Sequence, residues 1–250
     1  MIYSSRIQEY LRRHGYEALS PRAALIDMDG TLYDSMPSHA RAWQQMMREN
    51  GVEEPLANFF LYEGRTGRST IDLLFRKAFG RGATDEEVER LYRRKSELFA
   101  GMPEVSVMDG APDMLGFLKE VGVERVLVTG SGQRSLIERI ERDFPGMFSE
   151  RLMVTSRDVS RGKPDPEPYV KAMELAKQPP CNCIVIENAP LGVESGHAAG
   201  VFTIGVNTGP IPASALENAG ADIVFPSMND FARQLPLLIY DMVTTLNNFN

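Results

Sequence analysis

Six short runs, Ala23–Met28, Arg125–Thr129, Leu152–Thr155, Cys183–Glu187, Val201–Val206 and Asp222–Phe225, are apolar and rich in β-branched residues. Between the later ones the period changes from two to that of a helix. Gln133–Asp143 puts Leu136, Ile137 and Ile140 on one face, and Glu167–Lys177 does the same with Tyr169, Val170, Met173 and Leu175. Leu191–Ala199 ends at Gly200, a helix stop. Strands that alternate with helices are joined by right-handed crossovers into a parallel sheet covered on both faces. The expected fold is therefore a doubly wound α/β core.

One stretch breaks the alternation. From Ser35 to Ser106 the sequence carries helical patterns and no convincing strand. Pro37–Asn50 stops at Gly51, and Ser69–Phe79 stops at Gly80. Thr84-Asp85-Glu86-Glu87 reads as a capping box opening a helix that runs to Ala100. The expected organisation is an N-terminal helical extension over 1–20, a core made of 21–34 and 107–250, and an inserted helical cap over 35–106. In the extension, Arg6–His14 reads as one short helix stopped by Gly15.

Composition narrows the partners. A net charge of −7 and a pI near 5.2 argue against general nucleic-acid binding, which leaves a basic footprint. No apolar stretch approaches the roughly 18 residues of a membrane span, and the first 15 residues, MIYSSRIQEYLRRHG, lack the apolar stretch of a secretory signal. Cys181 and Cys183 cannot complete a structural zinc site with three scattered histidines, His14, His39 and His197, so they read as reduced thiols. A cytoplasmic monomer is expected.

The chemistry is concentrated where strands end. Leu25–Leu32 reads LIDMDGTL, and Asp27 and Asp29, two apart in an extended chain, point the same way. An Asp-Gly turn accounts for Asp29 alone but not for Asp27, which sits inside the apolar run. RVLVT ends in Thr129-Gly130-Ser131-Gly132, CIVIE ends in Glu187-Asn188, and Gly162-Lys163-Pro164 precedes a helix start. Singly these are a turn, a strand-end acid and an exposed lysine. Together they place carboxylates, a hydroxyl, backbone N–H groups and an ammonium at the carboxyl edge of one sheet, where open α/β sheets bind ligands. Phosphoryl transfer needs that set: a nucleophile, a divalent cation and donors for the equatorial oxygens.

DMDGT, VLVTGSG, GKPDPEPY and VIENAPLGVESGHAAG resemble, in order, the four motifs of the haloacid dehalogenase superfamily, in its β-phosphoglucomutase-like phosphatase group. The helical insertion resembles that group's cap. The cap stretch YEGRTG, with VTGSG and IENAPLG, looks most like the inorganic pyrophosphatase-like members of Bacteroides-type bacteria. The resemblance implies a Mg²⁺-dependent phosphohydrolase that forms an aspartyl-phosphate on Asp27. Asp29 is then general acid and base, Lys163 offsets charge repulsion, and Gly30 brings its N–H to the phosphate. It further implies that Thr129, Gly130 and Ser131 hold phosphoryl oxygens and that Asp27, Asp29, Glu187 and Asn188 form the metal side. His39 falls where the group often has a histidine in the first cap helix.

Inorganic pyrophosphate is the expected substrate. The alternatives are a sugar-phosphate phosphatase or β-phosphoglucomutase and, from another class, a non-enzymatic phospho-aspartate receiver, which lacks both an insertion and a second acid at i+2. Two readings concern the cap. Residues 64–95 carry nine Lys/Arg against five Asp/Glu, which suits an anionic substrate, with Arg65 and Lys95 the preferred contacts in and beyond the loop that includes Thr66. Asn188 stands where many group members have a second acid, and Glu63 is expected to reach the metal in compensation.

Overall fold

In the computed structural model, which describes residues 1–131 and 134–246, β1 (Ala23–Ile26), β2 (Glu124–Val128), β3 (Met153–Val154), β4 (Cys183–Glu187), β5 (Phe202–Val206) and β6 (Ile223–Phe225) form one sheet of order β3-β2-β1-β4-β5-β6. All pairings are parallel. The period of two sorts its side chains. Ala24, Ile26, Leu127, Ile184 and Ile186 face one apolar cluster, and Ala23, Leu25, Val126, Val128 and Val185 face the other. All six strands occur where the apolar runs lie. The first is two residues shorter than its run, because the Met28 carbonyl accepts the N–H groups of Leu32 and Tyr33 and curls the chain off the sheet.

Helices α1 (Ser4–His14), α2 (Met36–Glu49), α3 (Leu56–Leu61), α4 (Gly67–Phe79), α5 (Asp85–Ala100), α6 (Ala111–Glu120), α7 (Arg134–Asp143), α8 (Glu167–Ala176), α9 (Pro190–Ala198), α10 (Ala213–Asn218) and α11 (Met228–Thr244) surround it. The first cluster is closed by α1, α6 and α11, through Ile7, Tyr10, Leu115, Leu118, Phe231 and Leu235, and the second by α8, through Tyr169 and Ala172. The Tyr10 hydroxyl also donates to the Gly200 carbonyl at 3.0 Å, and Arg13 pairs with Asp222 at 2.6 Å. Gly132 and Gln133, and the side chains of Leu136 and Ile137, lie outside the described residues. Among those described, no helix is long and apolar enough to cross a membrane.

Helices α2–α5 pack around an apolar centre of their own that includes Met46, Met47, Phe59, Ile71, Leu74 and Leu91. The capping box is present: Thr84 Oγ1 accepts the Glu87 N–H, and the Glu87 carboxylate accepts the Thr84 N–H at 2.8 Å. The sequence showed no sign of α3, whose six residues are too few for a helical period to emerge. Two chain crossings join this insertion to the sheet, and they pair with each other. The Asp34 N–H donates to Ser106 at 3.0 Å and the Met108 N–H to Leu32 at 2.9 Å.

Candidate active site

The order of the strands reverses beside β1, so the carboxyl ends of β1, β2 and β4 meet at the switch point of the sheet. Asp27 is the first residue beyond β1, Thr129 the first beyond β2, and Glu187 the last of β4. Lys163 reaches into this junction and is 2% exposed. Its ammonium donates to Asp27 Oδ1 at 2.5 Å, to Glu187 Oε1 at 2.6 Å and to the Val128 carbonyl at 3.2 Å. Burial works against a charge on Lys163, but Asp27 and Glu187 outweigh it and raise its pKa. Burial also pushes the Asp27 carboxyl well above the usual range, with the Glu187 charge adding to it and Lys163 opposing.

Glu187 does not have the metal-facing position expected of it. Its Oε1 accepts from Lys163 and from the Tyr169 hydroxyl at 2.8 Å, while Oε2 accepts the N–H groups of Asn188 and Ala189 at 3.0 and 3.2 Å. With both oxygens engaged, its work is to hold Lys163. Gly192 on α9 makes room for it, since a Cβ there would lie 1.8 Å from Glu187 Oε1. Gly30 is a second correction. Its N–H donates back to the Tyr33 carbonyl at 2.8 Å and is therefore committed to the turn. What glycine supplies there is a φ of +83° and clearance for Asn188, whose Nδ2 would stand 2.0 Å from a Cβ.

Asp29 lies in a different setting. Ser35 Oγ donates to its Oδ1 at 2.6 Å, His39 Nε2 lies 3.0 Å from the same oxygen, and His39 Nδ1 lies 2.6 Å from Lys95 Nζ. Burial raises the Asp29 pKa, but His39 and Ser35 outweigh it and hold the carboxyl below the usual range. Burial and the nearby Lys95 lower the His39 pKa, and burial brings Lys95 down to about 7. A neutral imidazole that accepts from Lys95 at Nδ1 and donates from Nε2 to an ionised Asp29 satisfies all three. The histidine ring also stacks on Phe99, with centroids 4.1 Å apart.

The insertion closes over this edge and leaves a cavity of about 60 Å³. Asp27, Asp29, Thr129, Gly130 and Ser131 line it from the sheet, and His39, Glu63, Arg65 and Lys95 from the insertion. Thr129 Oγ1 accepts the Ser131 N–H at 2.9 Å. Arg65 donates to Ser69 Oγ at 3.1 Å, and among the described residues its buried Nε has no partner. Thr66 does not line the cavity; it caps α4 and presses on Gly162. Glu63 Oε2 accepts from Asn188 Nδ2 at 3.2 Å, Asn188 Oδ1 accepts from Thr31 at 3.3 Å, and Glu63 Oε1 is buried with no hydrogen-bond partner among the described residues. Burial, followed by the charges of Asp27, Asp29 and Glu187, raises the Glu63 pKa well above the carboxylate range.

The seam between insertion and sheet is built on glycines. A Cβ on Gly130 would lie 2.7 Å from the Gly64 carbonyl oxygen, and one on Gly162 would lie 2.6 Å from Thr66 Cγ2. Sequence reasoning missed Ser35, Tyr169 and Gly192. Tyr169 reads in the sequence as part of the apolar face of its helix, and its place six residues after Lys163 in GKPDPEPY is the available clue.

A sequence profile of the haloacid dehalogenase-like hydrolases matches residues 21–200. The chain belongs to that family, and it is an enzyme of the phosphatase type. Hexitol phosphatase A of Escherichia coli is 32% identical over 82% of this chain and 90% of its own. The validoxylamine A 7'-phosphate phosphatase of Streptomyces hygroscopicus subsp. limoneus is 30% identical over 84% and 95%. Among solved structures, a candidate beta-phosphoglucomutase from Bacteroides vulgatus superposes with a TM-score of 0.93 at 44% identity, covering 96% of this chain and 98% of that one.

Proposed function

We propose that the chain hydrolyses phosphorylated sugars or polyols through an aspartyl-phosphate on Asp27. The observation that carries this reading is geometric: Asp27, held by Lys163, and Asp29, held by Ser35 and His39, face one cavity beside Thr129 and Ser131. The substrate class rests on the relatives, whose names specify a hexitol phosphatase and a phosphorylated carbohydrates phosphatase. The inorganic pyrophosphate expected from the cap loop finds no support among them.

In the first half-reaction an Asp27 oxygen bonds to phosphorus, the bond from phosphorus to the leaving oxygen breaks, and that oxygen takes a proton from the Asp29 carboxyl. In the second, water attacks the same phosphorus, the bond to Asp27 breaks, and Asp29 takes the water's proton. The low pKa of Asp29 suits the second half; for the first, His39 passes its Nε2 proton to Asp29 Oδ1 while the Lys95 ammonium gives one to Nδ1, which leaves a neutral imidazole and a neutral amine. Lys163 offsets repulsion between Asp27 and the phosphate. Thr129 Oγ1 accepts from Ser131, which leaves its own hydrogen to donate to a phosphoryl oxygen.

Mg²⁺ fits the donor set. The charges of Asp27, Asp29 and Glu187 all act on Glu63, the Lys163 ammonium touches only Asp27 and Glu187 of these four, and among the described residues one buried oxygen of Glu63 has no hydrogen-bond partner. Among the described residues no three acidic, histidine or cysteine side chains form a ready cluster. Mg²⁺ retains several waters and completes its shell with a few protein oxygens and phosphate oxygens. Asp27, Asp29 and Asn188, with Glu63 from the insertion, would hold it. When bound it supplies charge neutralisation at the phosphoryl oxygens.

The insertion acts as a cap that opens for substrate and closes for reaction. The test is phosphate release from a panel of hexitol phosphates, hexose phosphates, β-glucose 1-phosphate and pyrophosphate with Mg²⁺. Higher kcat/KM for a sugar or polyol phosphate is expected, and a preference for pyrophosphate would overturn the substrate class. Glucose 6-phosphate as the product from β-glucose 1-phosphate would make the chain a mutase instead.

A further inference from the structure

The sheet fixes Asp27 but not Asp29. The Asp27 N–H still joins the ladder, donating to the Ile186 carbonyl at 3.0 Å, and its carboxylate meets Lys163. Asp29 lies two residues past that bond, on a turn closed by its own backbone. The Met28 carbonyl accepts from Leu32 and Tyr33 at 2.9 and 3.2 Å, and the Gly30 N–H donates to the Tyr33 carbonyl at 2.8 Å. Ser35 and His39, which touch the Asp29 carboxylate, lie at the start of the insertion and on its first helix, α2. They move when the cap opens, so they cannot hold the turn to the sheet through a catalytic cycle.

Two anchors from the core do. Thr208, two residues past β5, donates from Oγ1 to the Gly30 carbonyl at 2.5 Å. Its loop is braced by Asn207, whose N–H donates to the Phe225 carbonyl at 2.8 Å and whose Nδ2 donates to the Ile211 carbonyl at 3.0 Å. At the far end of the turn Tyr33 is fully buried, edge-on to Phe144 and beneath the Arg139 guanidinium. Its hydroxyl donates at 3.1 Å to Asp143, the last residue of α7, which Arg139 and Arg142 hold at 3.0 and 2.8 Å. Neither Thr208 nor Tyr33 lines the cavity, so whatever they contribute to the reaction passes through the turn.

Resting on the reading of Asp29 as the acid that protonates the leaving oxygen, we propose that Thr208 and Tyr33 are positioning residues. They hold the Asp29 turn to the core so that its carboxyl meets the leaving oxygen at each closure. A misplacement of about 1 Å can cost as much as 10²-fold in rate, so a hydroxyl that touches no substrate still registers in the chemistry.

The leaving group tests this, because phenolate needs a proton to depart far more than para-nitrophenolate does. The measurement is kcat/KM with Mg²⁺ for phenyl phosphate and para-nitrophenyl phosphate, a quantity that reports the steps through transfer to Asp27. Thr208→Val and Tyr33→Phe keep the side-chain shape and remove one hydroxyl each. Each should lower the value for phenyl phosphate about tenfold and that for the nitrophenyl ester no more than about twofold, the range one hydrogen bond spans. Thr208→Ser keeps the hydroxyl and should stay within about twofold of wild type on both esters. Equal losses on the two esters, no loss, or a Thr208→Ser variant as impaired as Thr208→Val would each overturn the proposal. Asp29→Asn is the reference. If it too lacks the split, the acid assignment fails and the proposal with it; a split in Asp29→Asn that Thr208→Val lacks overturns the proposal alone.

Discussion

Asp27 and Asp29 stand two residues apart at the end of β1, yet their surroundings shift their pKa values in opposite directions. Asp27 shares Lys163 with Glu187 and has its pKa raised, while Asp29 takes Ser35 and His39 to itself and has its pKa lowered. Chemistry at Asp27 depends on a nucleophilic carboxylate that no amide replaces. Asp27→Asn should abolish phosphate release, and Asp29→Asn should lower it by about 10²–10⁴-fold through loss of acid and base catalysis. Circular dichroism should show both variants folded. Either one keeping more than about a tenth of the wild-type rate would rule out the covalent route, given what that catalysis is worth.

Lys163 is the only ammonium that touches Asp27 and Glu187 among the described residues, and all three side chains are buried. Removing one partner of a buried ion pair leaves an uncompensated charge. Lys163→Met should therefore destabilise the fold by roughly 3–5 kcal/mol. Urea denaturation at neutral pH measures this, and a loss below about 1 kcal/mol, the range of surface pairs, would show that the cluster is solvated in solution.

The sheet and its edge were legible because their signals are local. The strands β1, β4 and β5 are buried along their whole length and so read as apolar runs, and Asp27, Thr129 and Glu187 sit at strand ends. The partners of those residues were hidden because they come from elsewhere in the chain. Glu187 looked like a metal ligand until Tyr169 and Lys163 were seen to take its Oε1, and Gly30 looked like a phosphate donor until its N–H was found bonded to Tyr33. Lys95, picked for charge alone, is buried against His39. No periodicity announces a contact between residues 56 positions apart.

Closure of the insertion depends on bare backbone at the seam. An alanine at residue 162 puts its Cβ 2.6 Å from Thr66 Cγ2, so Gly162→Ala should hold the cap ajar and raise KM more than it changes stability. Thr66→Ser removes that methyl and keeps the hydroxyl that caps α4 by accepting from Ser69. The double variant Gly162→Ala/Thr66→Ser should therefore recover most of the lost kcat/KM. Failure of the second change to rescue the first would place the defect in the loop of Lys163 instead of the seam.

Lys95 links stability to pH. Burial lowers its pKa from 10.5 to about 7 in the folded protein, with the Asp29 charge opposing. Between these values the unfolded chain binds a proton that the folded chain has released. The contribution of this group to stability thus rises with pH over that window. Lys95→Met removes the linkage, so the variant should be most stable relative to wild type near pH 6 and lose that advantage by pH 9.5. Denaturation midpoints of the two proteins that move in parallel over this range would show that Lys95 keeps an ordinary pKa.

Glu63 joins the cap to the metal question, and the two conditions of the experiment have opposite signs. Its folded pKa is raised, so its contribution to stability is fully present below the unfolded value of 4.5 and is lost as pH rises through the folded one. At alkaline pH without Mg²⁺ the carboxylate faces Asp27, Asp29 and Glu187, and Glu63→Gln should raise Tm by removing that repulsion. A cation bound among these oxygens reverses the balance, because a ligand that binds only the folded state stabilises it in proportion to affinity. Millimolar Mg²⁺ should then raise the Tm of the wild type more than that of Glu63→Gln, and the variant should need more Mg²⁺ for half-maximal turnover. Equal Mg²⁺-induced shifts in the two proteins would show that Glu63 is no part of the metal site.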